Sequence, residues 1–153
     1  MADIEIRDIP QRLREGITIA ERGSLEKAHP LFEGYLEAHP DSALALSYTG
    51  MIRTVKDGLT HQGLEMCQEA VRRDSREALC HLNLARVYFQ MGDRYQAVRS
   101  LHKGLKIRSP YRDILVAFQG SMGRRRNPPL GFLSRNNPLN ELLGKITWKL
   151  KGK

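Results

Sequence analysis

The chain has little of what most function classes need. It holds two cysteines, Cys67 and Cys80, too few for a disulfide framework. Aromatic residues are 7% of it, with a single tryptophan, which suits a helical core better than a sheet. No apolar run approaches the roughly 20 residues that span a bilayer. The first ten residues, MADIEIRDIP, carry acids where a signal peptide is basic, and no apolar stretch follows. The chain is therefore expected in the cytoplasm. The five histidines (His29, His39, His61, His81, His102) show no pairing at i+3 or i+4. Cys67, Cys80, His81 and His102 match no zinc spacing. Buried thiols and surface imidazoles are the plainer expectation. Gly120-Ser121-Met122-Gly123 lacks the spacing and the Gly-Lys-Ser/Thr ending of a phosphate loop. Nothing positive points to an enzyme, so no catalytic residue, metal or cofactor is expected.

What is present is apolar patterning on a chain of 153 residues, long enough for one continuous core. The net charge of +8 is uneven. Residues 112–153 hold nine Lys/Arg and only two acids, Asp113 and Glu141. The rest is nearly neutral, so attraction to anions should live near the C-terminus.

The stretch at residues 13–40, LREGITIAERGSLEKAHPLFEGYLEAHP with its first helix opening near Pro10, sets the pattern. It reads as two helices, about 10–22 and 25–38, broken at Arg22-Gly23-Ser24. Ser24 is expected as a partial N-cap, since Lys27 stands where a capping-box Glu would be. Pro30 falls inside the second helix and should cost a hydrogen bond or a kink. Small residues recur in phase. Gly50 follows Gly16 by 34 residues, Ala97 follows Gly63 by 34, and Gly104 follows Ala70 by 34. Gly63 follows Ala28 by 35, so one residue is added in the second turn. Asp57-Gly58 and Gly92-Asp93 mark the later turns, and Asp41 or Ser42 caps the third helix. The period gives three paired-helix units. A further apolar helix, about 113–122, would cap the stack, as solenoids require.

These features resemble the tetratricopeptide repeat over about residues 9–111. Gly16, Ile19, Gly23, Ala28, Phe32 and Pro40 carry the resemblance in the first unit. Thr49-Gly50, Ala70 and Val71 carry it in the second, and Leu84, Ala85, Tyr88, Gly92, Ala97 and Leu101 in the third. Arg12, Leu46 and His81 replace the family's early tryptophan, and Tyr35 replaces a usual alanine. The resemblance implies an all-α, right-handed helical-hairpin solenoid of about three repeats, with a capping helix and a basic C-terminal tail. The repeat domain is expected at 9–122 and the tail at 123–153.

The family binds peptides or helices in a concave groove lined by the first helix of each pair. Mapped here, the groove residues are Leu13, Ile17, Tyr48, Met51, Val55, Leu79, Leu82, Asn83, Arg86 and Phe89. Family members that grip a C-terminal carboxylate use Lys, Asn and Arg at places held here by Leu13, Ile17, Tyr48, Leu79 and Asn83. The resemblance therefore implies a protein partner presenting an apolar peptide or amphipathic helix. A bacterial secretion chaperone of similar size is one concrete role, by analogy of fold and size.

In the tail, Arg124, Arg125, Arg126, Arg135, Lys145 and Lys149 are candidate contacts for phosphates, which makes nucleic acid or an anionic membrane surface the alternative partner. Residues 123–138 read as a non-helical linker. Leu139, Leu142, Leu143, Ile146 and Leu150 then line one helical face. That stripe would dock in the same chain's groove or in a second copy, giving a homodimer.

Overall fold

A computed structural model of the chain describes residues 9–123. Its seven helices run in sequence: α1 (Gln11–Glu21), α2 (Leu25–Ala38), α3 (Ala43–Asp57), α4 (Thr60–Arg73), α5 (Ala78–Gln90), α6 (Arg94–Leu105) and α7 (Arg112–Ser121). There is no strand among the described residues. The arginine run, the linker and the C-terminal leucine stripe lie outside them.

The helices pair as antiparallel hairpins because each turn is short and turns on glycine. Gly23, Gly58 and Gly92 adopt φ of 84°, 69° and 78°, a conformation that a Cβ disfavours. They sit 35 and 34 residues apart, in phase with the sequence period. Three caps are made by side chains. Ser42 accepts from Ala45 N–H, Glu77 from Leu79 N–H, and Asp93 from Gln96 N–H. Ser24 does not cap. Its φ and ψ of −88° and 62° depart from the extended geometry that aims a hydroxyl at the first turn, and its side chain makes no cap hydrogen bond. Pro30 does not end α2, which runs through it to Ala38. Pro30 is exposed, so its ring meets water rather than a neighbouring helix.

Packing follows chain order. α1 meets α2, α2 meets α3, α3 meets both α4 and α5, and α5 meets α4 and α6. This nearest-neighbour pattern is that of a helical-hairpin solenoid. Small residues set the closest approaches. A Cβ on Gly50 would stand 2.9 Å from Gly63 O, and one on Gly104 would stand 3.1 Å from Ala78 O. Leu115 of α7 lies over Gly104, 2.9 Å from where its Cβ would be. α7 thus packs on α6 and also meets α5, closing the end of the stack as a cap must. The core is continuous, from Leu13, Ile17 and Phe32 through Tyr48, Ile52 and Leu82 to Leu101 and Leu115, all buried.

Candidate interaction surface

The first helix of each hairpin, α1, α3 and α5, carries the residues mapped to the concave face. The structure sorts them into three groups. Leu13, Ile17, Tyr48, Met51, Leu79, Leu82 and Asn83 are buried. Arg86 is half-buried. Val55 and Phe89 are exposed, at 43% and 38%.

The buried set is fixed by specific neighbours. The Phe32 ring fills the space left by Gly16, whose Cβ would lie 3.0 Å from its Cζ. Its other face stacks on Tyr48, with centroids 4.4 Å apart and planes 6° from parallel. Tyr48 therefore bridges the first hairpin and α3. Its hydroxyl donates to Glu21 Oε1 at 3.1 Å. Burial, then the Glu21 charge, push the Tyr48 phenol well above its ordinary range. Asn83 is held between two partners. Its Nδ2 donates to Ser47 Oγ at 3.1 Å, and its Oδ1 accepts from Arg86 Nη1 at 3.2 Å.

Arg86 is the centre of this network. Its Nη1 and Nη2 donate to Glu21 Oε1 and Oε2 at 2.8 and 2.7 Å. The side chains are 18% and 19% exposed, Arg86 and Glu21 respectively. Burial lowers the tendency of Arg86 to hold its proton, but the hydrogen bonds and charge of Glu21 more than offset this and raise its pKa. The guanidinium also lies 5.6 Å from the centroid of the Phe118 ring on α7. Phe118 meets Phe89 edge-on at 5.9 Å.

Sequence reasoning placed Arg86 on this face but missed Glu21 and Phe118. No periodic signal joins residues 65 positions apart. The guanidinium of Arg86 has the chemistry to grip a carboxylate, and an internal one, Glu21, already occupies it.

Exposed apolar side chains gather at the turn end of α3 and α5. Val55 and Phe89 are 34 residues apart and occupy equivalent places in successive hairpins. Leu59 and Met91, in the turns just beyond, are also exposed.

The thiols are buried as expected, and both are free. Cys67 Sγ donates to Ser47 O at 3.3 Å. Of the histidines, His81 departs from the surface expectation. It is buried in α5, with Nε2 3.0 Å from Ser75 O, because the small Gly104 opposite leaves it room. Among the described residues, no three His, Cys, Asp or Glu side chains group as a metal site. No described helix is long and apolar enough to cross a membrane. Arg124, Arg125, Arg126, Arg135, Lys145 and Lys149 lie outside the described residues.

Among solved structures, a mutant O-GlcNAc transferase of Thermobaculum terrenum superimposes with a TM-score of 0.53 at 25% identity, over 65% of this chain and 19% of its own. The fold is tetratricopeptide-like. The MamA RS-1 ArsTM double mutant aligns at 24% identity over 72% of this chain and 57% of its own, with a TM-score of 0.46. This chain thus spans less than two thirds of either protein. No protein-family model and no curated protein matches it.

Proposed function

We propose that the chain is a non-enzymatic protein-interaction scaffold, whose concave face receives an apolar peptide or amphipathic helix of a partner protein. The observation that carries this is the exposure of Val55 and Phe89. They hold equivalent places on successive first helices, where a solenoid presents its ligand face. Two apolar anchors in register suit a ligand that repeats apolar side chains at helical or extended spacing. Val55 is the more open of the two, while the Phe89 ring leaves part of its surface exposed beside its edge-on contact with Phe118.

The test is binding of fluorescently labelled amphipathic helical peptides to the full chain and to a Val55→Glu/Phe89→Glu variant. The variant should bind at least tenfold more weakly, with its helical circular dichroism unchanged. Equal binding would overturn the assignment.

A second reading rests on charge. Residues 124–153 hold eight Lys/Arg and one acid, Glu141. An adaptor working through this segment would bind RNA or anionic vesicles with steep salt dependence, and a chain ending at Gly123 would lose that binding. Salt-independent binding, or none, removes this reading.

A further inference from the structure

The Glu21–Arg86 pair breaks the rule by which the rest of the chain is built. Hairpins in a solenoid touch their neighbours, yet this bond joins the first hairpin to the third, across 65 residues. It crosses the concave face above Tyr48, whose hydroxyl shares Glu21 Oε1 with Arg86 Nη1. On the far side, Arg86 lies over Phe118 of the capping helix. One guanidinium therefore ties α1, α5 and α7 together, with Asn83 steadying it from within its own helix. One turn back from the pair on the same faces of α1 and α5, Ile17 and Leu82 are buried, as are Leu13, Met51 and Leu79 farther along α1, α3 and α5.

The energetics favour a switchable contact over a structural weld. A half-buried ion pair loses hydration nearly as fast as it gains Coulomb energy, so its net stabilisation is small. Its geometry is nevertheless strict, because a bidentate guanidinium–carboxylate pair accepts one mutual orientation. Such a pair specifies an arrangement without making it costly to leave. The apolar contacts within each hairpin do not depend on it.

We propose that Glu21 and Arg86 form a latch across the concave face. Closed, it fixes the first hairpin against the third and shields the apolar floor. Open, it lets the hairpins part and exposes that floor. The latch is a property of the free protein, and only its consequence for ligand entry rests on the peptide-binding reading.

Amide hydrogen exchange on the full chain tests it without any ligand. Glu21→Gln, Arg86→Met and the double variant are compared with the parent, alongside binding of an apolar fluorescent dye. Each single variant should speed exchange at least tenfold in both α1 and α5, leave α4 unchanged and raise dye binding several-fold. The double variant should fall well short of the sum of the two single ones, because the bond between the partners is lost once, while the Tyr48 bond to Glu21 and the Asn83 and Phe118 contacts of Arg86 are lost separately. Arg86→Lys keeps the charge but gives up the two-pronged geometry, and should show the same pattern more mildly even where Arg86→Met loses its fold. Three results would overturn the latch: exchange changes confined to the hairpin carrying the substitution, additive effects in the double variant, or faster exchange with no gain in dye binding. Loss of peptide binding by the Val55/Phe89 variant is read separately, so failure of the latch and failure of the groove are told apart.

Discussion

Thr54 Oγ1 stands 1.9 Å from the point where a Cβ on Gly63 would lie. Gly50 O is 2.4 Å from the same point. The second hairpin is thus closed by backbone against backbone, with no room for a methyl group. Gly63→Ala should destabilise the protein by about 3 kcal/mol, the upper end of overpacking costs. The gain of up to ~1 kcal/mol in helix propensity will not offset it. Adding Thr54→Ala should recover only part of the loss, since the carbonyl of Gly50 remains. Urea unfolding of the three variants measures both effects, and full recovery in the double variant would show that the side chain alone set the limit.

Gly34 provides the opposite case. It lies inside α2, and a Cβ there meets nothing within 4 Å. Gly34→Ala removes backbone freedom from the unfolded chain at no steric cost. It should stabilise by about 0.5–1 kcal/mol, read as a rise in the urea midpoint with unchanged slope. A fall in the midpoint would mean that the glycine has a role that packing does not explain.

The contrast between Gly63 and Gly34 shows what the sequence could disclose. Close helix approaches need small residues, so Gly16 and Gly50, Gly63 and Ala97, and Ala70 and Gly104 recur in phase and mark the fold. The turn glycines do the same, because positive φ excludes most other residues. The concave face was legible only as positions. Leu13, Ile17 and Tyr48 have the right register, but register does not reveal that they are buried. Glu21 could not be found at all. A contact between hairpins two units apart leaves no period, and on α1 an acid at that place reads as ordinary solvated surface. Ser24 misled for a local reason, since cap chemistry was present but the backbone dihedrals that use it were not.

Burial also decides which substitutions can probe the face. Met51 is buried, and Met51→Glu would place an unpaired carboxylate in the core, costing about 3 kcal/mol or more. Val55→Glu sits at an exposed position and should change stability by no more than about 0.5 kcal/mol. Thermal melts followed by circular dichroism should separate the two clearly. A large loss on Val55→Glu would show that this side chain supports the fold and cannot serve as an anchor.

Alkaline pH should weaken the fold through Cys67 and Cys80. Burial raises both thiol pKa values above the ordinary 9.0, with Cys80 reaching about 12 and Cys67 higher still, since proximity to Cys80 adds to its burial. The folded chain then keeps two protons that the unfolded chain releases, so the unfolded state binds fewer protons above pH 9 and stability falls as pH rises. Below pH 9 both states hold the protons, and these groups impose no slope. Two such thiols set a limiting slope of about 2.7 kcal/mol per pH unit. Tyr48, its phenol also pushed up by burial and by Glu21, should steepen the limb above its ordinary value of 10.0. Urea midpoints at pH 8, 9, 10 and 11 would trace the limb. Cys67→Ala/Cys80→Ala should start from a lower midpoint because it leaves cavities, yet decline far less between pH 9 and 10. The remaining decline above pH 10 should then shrink with Tyr48→Phe, which also frees one Glu21 oxygen from its second donor, leaving the contribution of Tyr111, whose phenol is also pushed up by burial. A parent profile that stays flat from pH 8 to 11 would mean that the buried thiols and phenol ionise in place, and that the interior between α3, α4 and α5 admits water.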